Sequence, residues 1–165
     1  MPHPSHRWRH YTLAFLLVLP TGLPSRSASC PPPLLGAWEY RQRAGDSYDA
    51  EGERLQLSCS DKILTGLYYG LEREGEHGLF YTLVEITEVK VSPAAELSFN
   101  VPPRELFYAR PKSLQDLAGK KLPSAGFTRD KLHIQGQVKD GNLVLSCTSE
   151  SGSCPEKVMV FRRSP

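Results

Sequence analysis

Residues 53–91 carry three strand-like runs in close succession, and this stretch restricts the chain to a sheet built from hairpins. Leu55, Leu57 and Cys59 alternate with Arg54, Gln56 and Ser58, the period-two pattern of a strand with one face buried. The β-rich run ILTGLYYGL follows, and the polar segment EREGEHG turns the chain back into GLFYTLVEITEVKV. Gly66 and Gly70 fall on the same face as Leu64 and Tyr68. Glycine weakens a strand interior unless the sheet bends or another segment comes close, so strong coiling into a small barrel is expected. Val84 and Ile86 share one face, whereas strict alternation puts Val89 and Val91 on the other. A bulge near Thr87 or Glu88 would turn all four inward.

The rest of the chain repeats this grammar. Pro31-Pro32-Pro33 is a rigid lead-in, and residues 35–40 form a first strand with Trp38 and Tyr40 on one face. Leu97, Phe99 and Val101 alternate with polar neighbours, Pro102-Pro103 breaks that run, and residues 104–109 give a short strand. Ser113 with Asp116 three positions on, and Gly119 beyond, predicts one or two helical turns over 113–119. The segment from there to Phe127 reads as loop, long enough to cover one end of a barrel. Strands follow at 131–138, 142–147 and 157–163, with Asp140-Gly141 as a hairpin signal and His133 facing outward. The sum is an all-β fold: one antiparallel meander of eight or nine strands with at most one short helix. A small closed or nearly closed barrel fits best, a sandwich next.

The first 29 residues read differently. Arg7 and Arg9 precede an apolar run that ends at Pro20, and small residues Ser27 and Ser29 lie just before Cys30, the three parts of a secretory signal. Pro20, Gly22 and Pro24 cut the run short of the ~20 residues a membrane span needs. The domain is then residues 30–165, exported to the periplasm or the extracellular space. Residues 1–29 hold three arginines and no acid, which leaves 17 basic against 18 acidic residues in the remainder. No basic stripe supports a nucleic-acid partner.

Four cysteines, Cys30, Cys59, Cys147 and Cys154, are an even set in an exported chain and read as two disulfides. Of three pairings, Cys30–Cys59 with Cys147–Cys154 is preferred: the second closes a short polar loop, and the first staples the N-terminal segment to a strand. Lipidation of Cys30 is the alternative, disfavoured because it would leave three cysteines and because Arg26 and Ser27 occupy the positions before it. No Cys-x-x-Cys spacing or histidine cluster points to a metal, and no motif points to a cofactor.

Gly36-Ala37-Trp38 in the first strand, a meander of about eight strands, and Arg162 or Arg163 after the last together resemble the calycin superfamily of lipocalins and avidins. Thr65-Gly66-Leu67-Tyr68 is similar to the avidin pattern Thr-Gly-x-Tyr. The resemblance implies a first-strand Trp packed at the closed barrel end with a C-terminal Arg across it. Biotin binding is not carried over, since Trp38 is the only tryptophan beyond the leader.

Function is less constrained. No nucleophile elbow, metal motif or phosphate-cradling loop is present, and the acidic pairs Glu85/Glu88 and Glu72/Glu74 sit at a bulge and a turn, so no catalytic residue is assigned. The expectation is a non-catalytic exported barrel binding a small apolar or amphipathic ligand. Trp38, Tyr40, Tyr68, Tyr81 and Phe99 are the candidate lining residues; the competing reading makes them core filler. The second expectation is a protein-interaction module, for instance an inhibitor of a lysozyme-like envelope hydrolase, using acidic loops 45–53 and 72–77 against a basic partner. A structural envelope role is the third. Asp46, Asp49, Glu51 and Glu53 match no calcium loop and read as solvated.

Overall fold

The computed structural model describes residues 30–41, 43–44, 47–48, 52–73, 78–119 and 122–164. Residues 1–29, read above as an export signal, and the acidic residues Asp46, Asp49, Glu51, Glu74 and Glu76 lie outside that set.

After a single 3-10 turn at Pro32–Leu34 come β1 (Gly36–Tyr40), β2 (Arg43–Ala44), β3 (Ser47–Tyr48), β4 (Glu53–Ser60), β5 (Ile63–Arg73), β6 (Leu79–Glu85) and β7 (Thr87–Val91). The chain continues through β8 (Leu97–Val101), β9 (Arg104–Phe107), α1 (Leu114–Ala118), β10 (Ser124–Thr128), β11 (Leu132–Lys139), β12 (Asn142–Ser149) and β13 (Val158–Arg163). Eleven strands make one antiparallel sheet in the order β10-β9-β6-β5-β4-β1-β13-β12-β11-β8-β7, and β2 pairs with β3.

Only Ile86 separates β6, which pairs with β5, from β7, which pairs with β8 at the far edge of the order. One bent strand therefore carries the ladder from β5 to β8, and the sheet curls back on itself. Counting β6–β7 as one strand, the ring has eight members in chain order, the meander expected. The bend has an identifiable cause. Ile86 donates its N–H to Gly66 O (3.0 Å) and turns its side chain inward. A Cβ on Gly66 would stand 2.8 Å from both Ile86 Cδ1 and Leu57 Cδ2, so only glycine lets the strands close there. Glu88 at φ 53° marks the register shift between Thr87 and Lys90, and Val89 and Val91 pack against the core as that bulge requires.

Two tight turns set the registers. Asp140-Gly141 (φ 50° and 77°) joins Lys139 to Asn142. Asp61-Lys62 (φ 52° and 65°) joins Ser60 to Ile63, a primed turn that lacks the glycine such turns favour. Asp116 accepts the Lys112 and Ser113 N–H groups (2.9 and 3.0 Å) and so caps α1. The segment before Phe127, read from the sequence as loop, contains β10. Its register on β9 shifts at Gly126, which blunts an otherwise free sheet edge. Alternation is weak there because β10 lies outside the ring and buries no face: every residue of Ser124–Thr128 is at least partly exposed.

Every ring strand contributes to one core, including Trp38, Leu55, Tyr68, Phe99, Ile134 and Phe161. Both disulfides form, Cys30–Cys59 and Cys147–Cys154. Such bonds persist in an oxidising compartment, extracellular or periplasmic. Among the described residues no helix is long and apolar enough to cross a membrane.

Candidate functional site at the polar end of the barrel

The two ends of the ring differ in chemistry. One is plugged. Leu34, from the 3-10 turn, is buried, and its carbonyl accepts the Trp38 indole N–H at 2.8 Å. The Arg163 guanidinium lies 4.4 Å from the Trp38 ring and donates to the Leu35 and Pro33 carbonyls (2.6 and 2.7 Å). The Cys30–Cys59 bridge ties this plug to β4.

The other end gathers charge. Glu53, first in β4, is only 3% exposed, and its Oε2 accepts the Tyr68 hydroxyl at 2.5 Å. Arg104, equally buried, ion-pairs with Glu72 and donates to the Asp130 carbonyl (3.2 Å). Among the described residues its Nε has no partner, nor does the buried Thr82 hydroxyl. Burial pushes the Glu53 carboxyl up to about 8: the Tyr68 hydrogen bond and Arg104 oppose the rise, while Glu72 and Glu156 add to it. Glu53 is thus a neutral acid at pH 7. The Tyr68 phenol is raised by burial and by Glu53.

Tyr40 connects this end to the surface. It pairs with Glu53 across β1 and β4, and its ring meets Phe161 at 5.5 Å. The phenol is buried, and the Glu156 carboxylate is the acceptor nearest to its hydroxyl, in poor hydrogen-bond geometry. Burial first, then Glu156 and Glu53, raise its pKa, so it stays a protonated donor.

Beside Tyr40 the barrel wall parts. β1 pairs with β13 only at Trp38↔Arg163 and Glu39↔Arg162. Past Glu39, the end of β1 is held from the other side: Gly52 sits so close to the Tyr40 carbonyl that an added Cβ would be 2.1 Å from it. An open cleft of about 620 Å³ fills the parting, lined by Tyr40, Arg41, Glu156, Val158, Val160 and Arg162. Val158 and Val160 are 53% and 45% exposed, and charges flank them at both ends.

Of the five residues expected to line a site, Trp38, Tyr40, Tyr68 and Phe99 all lie in the contiguous core, and Tyr40 alone lines this cleft. Tyr81 stands apart from them, half-buried on β6 beneath the Arg110 guanidinium at 5.7 Å. Glu72, expected in an acidic interaction loop, is committed to Arg104. Glu53, expected in solvent, is buried instead: as the first residue of β4 it shares the inward face of Leu55 and Leu57. Sequence reading missed the pairing of Glu53 with Tyr68. The signal was present, since Glu53 stands at the head of the alternation Glu53, Leu55, Leu57.

Comparison with family models, with curated proteins and with solved structures finds no match.

Proposed function

We propose that this chain is an exported, non-catalytic β-barrel that binds a small amphipathic molecule in the cleft between β1 and β13. Tyr40 carries the reading. Its buried hydroxyl lies on the wall of the cleft with only the poorly aligned Glu156 carboxylate to accept from it, so a well-placed ligand acceptor would improve its hydrogen bonding. The cleft volume, about 620 Å³, suits a small organic molecule. Val158 and Val160 offer apolar contact and Arg162 a cationic handle, while Arg41 is ion-paired with Glu39 (3.3 Å) on the same wall.

The nearby carboxyls support a binding role over catalysis: Glu53 is neutral and engaged by Tyr68, and Glu72 is neutralised by Arg104. Export rests on the leader-like residues 1–29, with the two disulfides in support. The Trp38–Arg163 stack supports a calycin-like ancestry for the barrel.

The test is fluorescence titration of the folded, disulfide-intact protein with anilinonaphthalene sulfonate, whose rings and sulfonate match the valines and Arg162. Saturable one-to-one binding that weakens at least fivefold in Tyr40→Phe, with unchanged circular dichroism, is expected. No binding, or binding indifferent to Tyr40→Phe, refutes the assignment.

A further inference from the structure

The parting of β1 from β13 leaves more than a cleft: it exposes a strand edge. Ser164 donates its N–H to Ala37 O (2.9 Å), whereas Lys157 O accepts from Cys147 N (3.1 Å) on β12. In a strand, successive residues direct their backbone groups to alternate sides. Even-numbered residues of β13 therefore face β1, and odd-numbered ones face β12. Arg162 meets its β1 partner, Glu39. Val158 and Val160 do not: among the described residues neither has a strand partner on that side. Two N–H and two C=O groups line up along the cleft, with two exposed valine side chains pointing outward from them.

We infer that the occupant of the cleft is an extended peptide segment, added antiparallel to β13 at Val158 and Val160. This rests on the cleft being the binding site. Peptide backbone is the ligand whose donors and acceptors repeat at the spacing this edge presents. Every other ladder of the sheet is antiparallel, which sets the orientation. The Tyr40 hydroxyl supplies a further donor on the same wall. The open edge is short and bounded: Glu156 lies just before it, and the Glu39–Arg162 pair closes its other end. Because Arg162 is already paired with Glu39, an added antiparallel segment begins opposite Val160: it carries apolar residues opposite Val160 and Val158 and a basic residue towards Glu156. Cross-strand pairing of β-branched side chains favours valine at the two apolar places.

The probe is the capped pentapeptide Val-Thr-Val-Thr-Lys, titrated into isotope-labelled full-length protein with amide shifts followed by NMR. The expected result is saturable shifts at Val158 and Val160. Loss of at least tenfold in affinity is expected in Val160→Pro, which removes an N–H that faces the cleft and spares the β12 ladder. Methylating the amide nitrogens of the two peptide valines gives a matching loss without altering the protein, so the test holds even if Val160→Pro does not fold. Equal binding of the methylated peptide overturns strand addition. If the anilinonaphthalene probe binds through Tyr40 but the peptide does not, the peptide assignment fails and the cleft reading stands. If neither binds, both fail.

Discussion

Replacing Glu53 by glutamine should flatten the dependence of stability on pH. In the unfolded chain the carboxyl titrates near the ordinary glutamate value of 4.5, and in the barrel it is raised to about 8. The folded state therefore holds a proton that the unfolded state releases between these limits. Below pH 4.5 both states are protonated and the group contributes no penalty. As pH rises from 4.5 to 8 stability falls by up to ~1.4 kcal/mol per unit, and above 8 the loss is complete. The full window corresponds to about 5 kcal/mol, an upper bound because water reaching the carboxylate would lessen it. Glutamine keeps an oxygen to accept the Tyr68 hydroxyl (2.5 Å in the native pair) and cannot ionise.

Urea unfolding at pH 5, 6.5 and 8 measures this directly. Native protein and Glu53→Gln should agree within about 1 kcal/mol at pH 5, where little of the penalty has developed. At pH 8 the variant should be more stable by about 3 kcal/mol or more, with equal slopes against urea. Parallel pH profiles for the two proteins would refute the reasoning, since they would mean that Glu53 is charged and solvated in the fold.

Three further outcomes are expected. Gly136→Ala places a Cβ 1.9 Å from the Val144 carbonyl, within the β11–β12 ladder; backbone cannot yield there cheaply, and a loss of about 3 kcal/mol or failure to fold should appear in thermal melts. Arg163→Ala removes the ring contact with Trp38 and two hydrogen bonds to the plug; about 2 kcal/mol should be lost in urea unfolding, with Trp38 emission shifted to the red. Serine pairs in place of Cys30–Cys59 and Cys147–Cys154, which close separations of 29 and 7 residues, should cost about 3.6 and 2.5 kcal/mol by loop entropy. Chemical denaturation of the two double variants should rank them in that order.

The ring strands were legible because each buries one face, so alternation survives in residues such as Leu55/Leu57 and Leu143/Leu145. The bulge after Ile86 was legible for the same reason, as a break in that alternation. β10 was not, since it buries neither face and leaves Phe127 61% exposed. The preferred disulfide pairing, which the structure bears out, came from the short polar loop between Cys147 and Cys154 and from Cys30–Cys59 as a staple of the N-terminal segment to a strand. The cleft was out of reach, because it arises where a ladder stops: Tyr40 and Phe161 look like two core aromatics, and nothing in their local sequence says that Arg41 and Val160 fail to pair. Arg104 was equally hidden. Its burial depends on Glu72, 32 residues away.

The position of the opening follows from the asymmetry of the barrel. At the plugged end Trp38 donates to the Leu34 carbonyl and Arg163 to the Leu35 and Pro33 carbonyls, and β1 and β13 stay zipped there. At the other end the inward positions are Tyr40, Glu53 and Tyr68, with Arg104 and Glu72 adjoining, and these cannot be sealed by apolar packing alone. Glu53 takes the Tyr68 hydroxyl and Glu72 takes Arg104, while the Tyr40 and Thr82 hydroxyls and Arg104 Nε make no well-formed hydrogen bond among the described residues. Gly52, pressed against the Tyr40 carbonyl, holds the end of β1 close against the start of β4. The poorly bonded Tyr40 hydroxyl and the unpaired edge of β13 thus arise at one place, and an incoming strand would complete both.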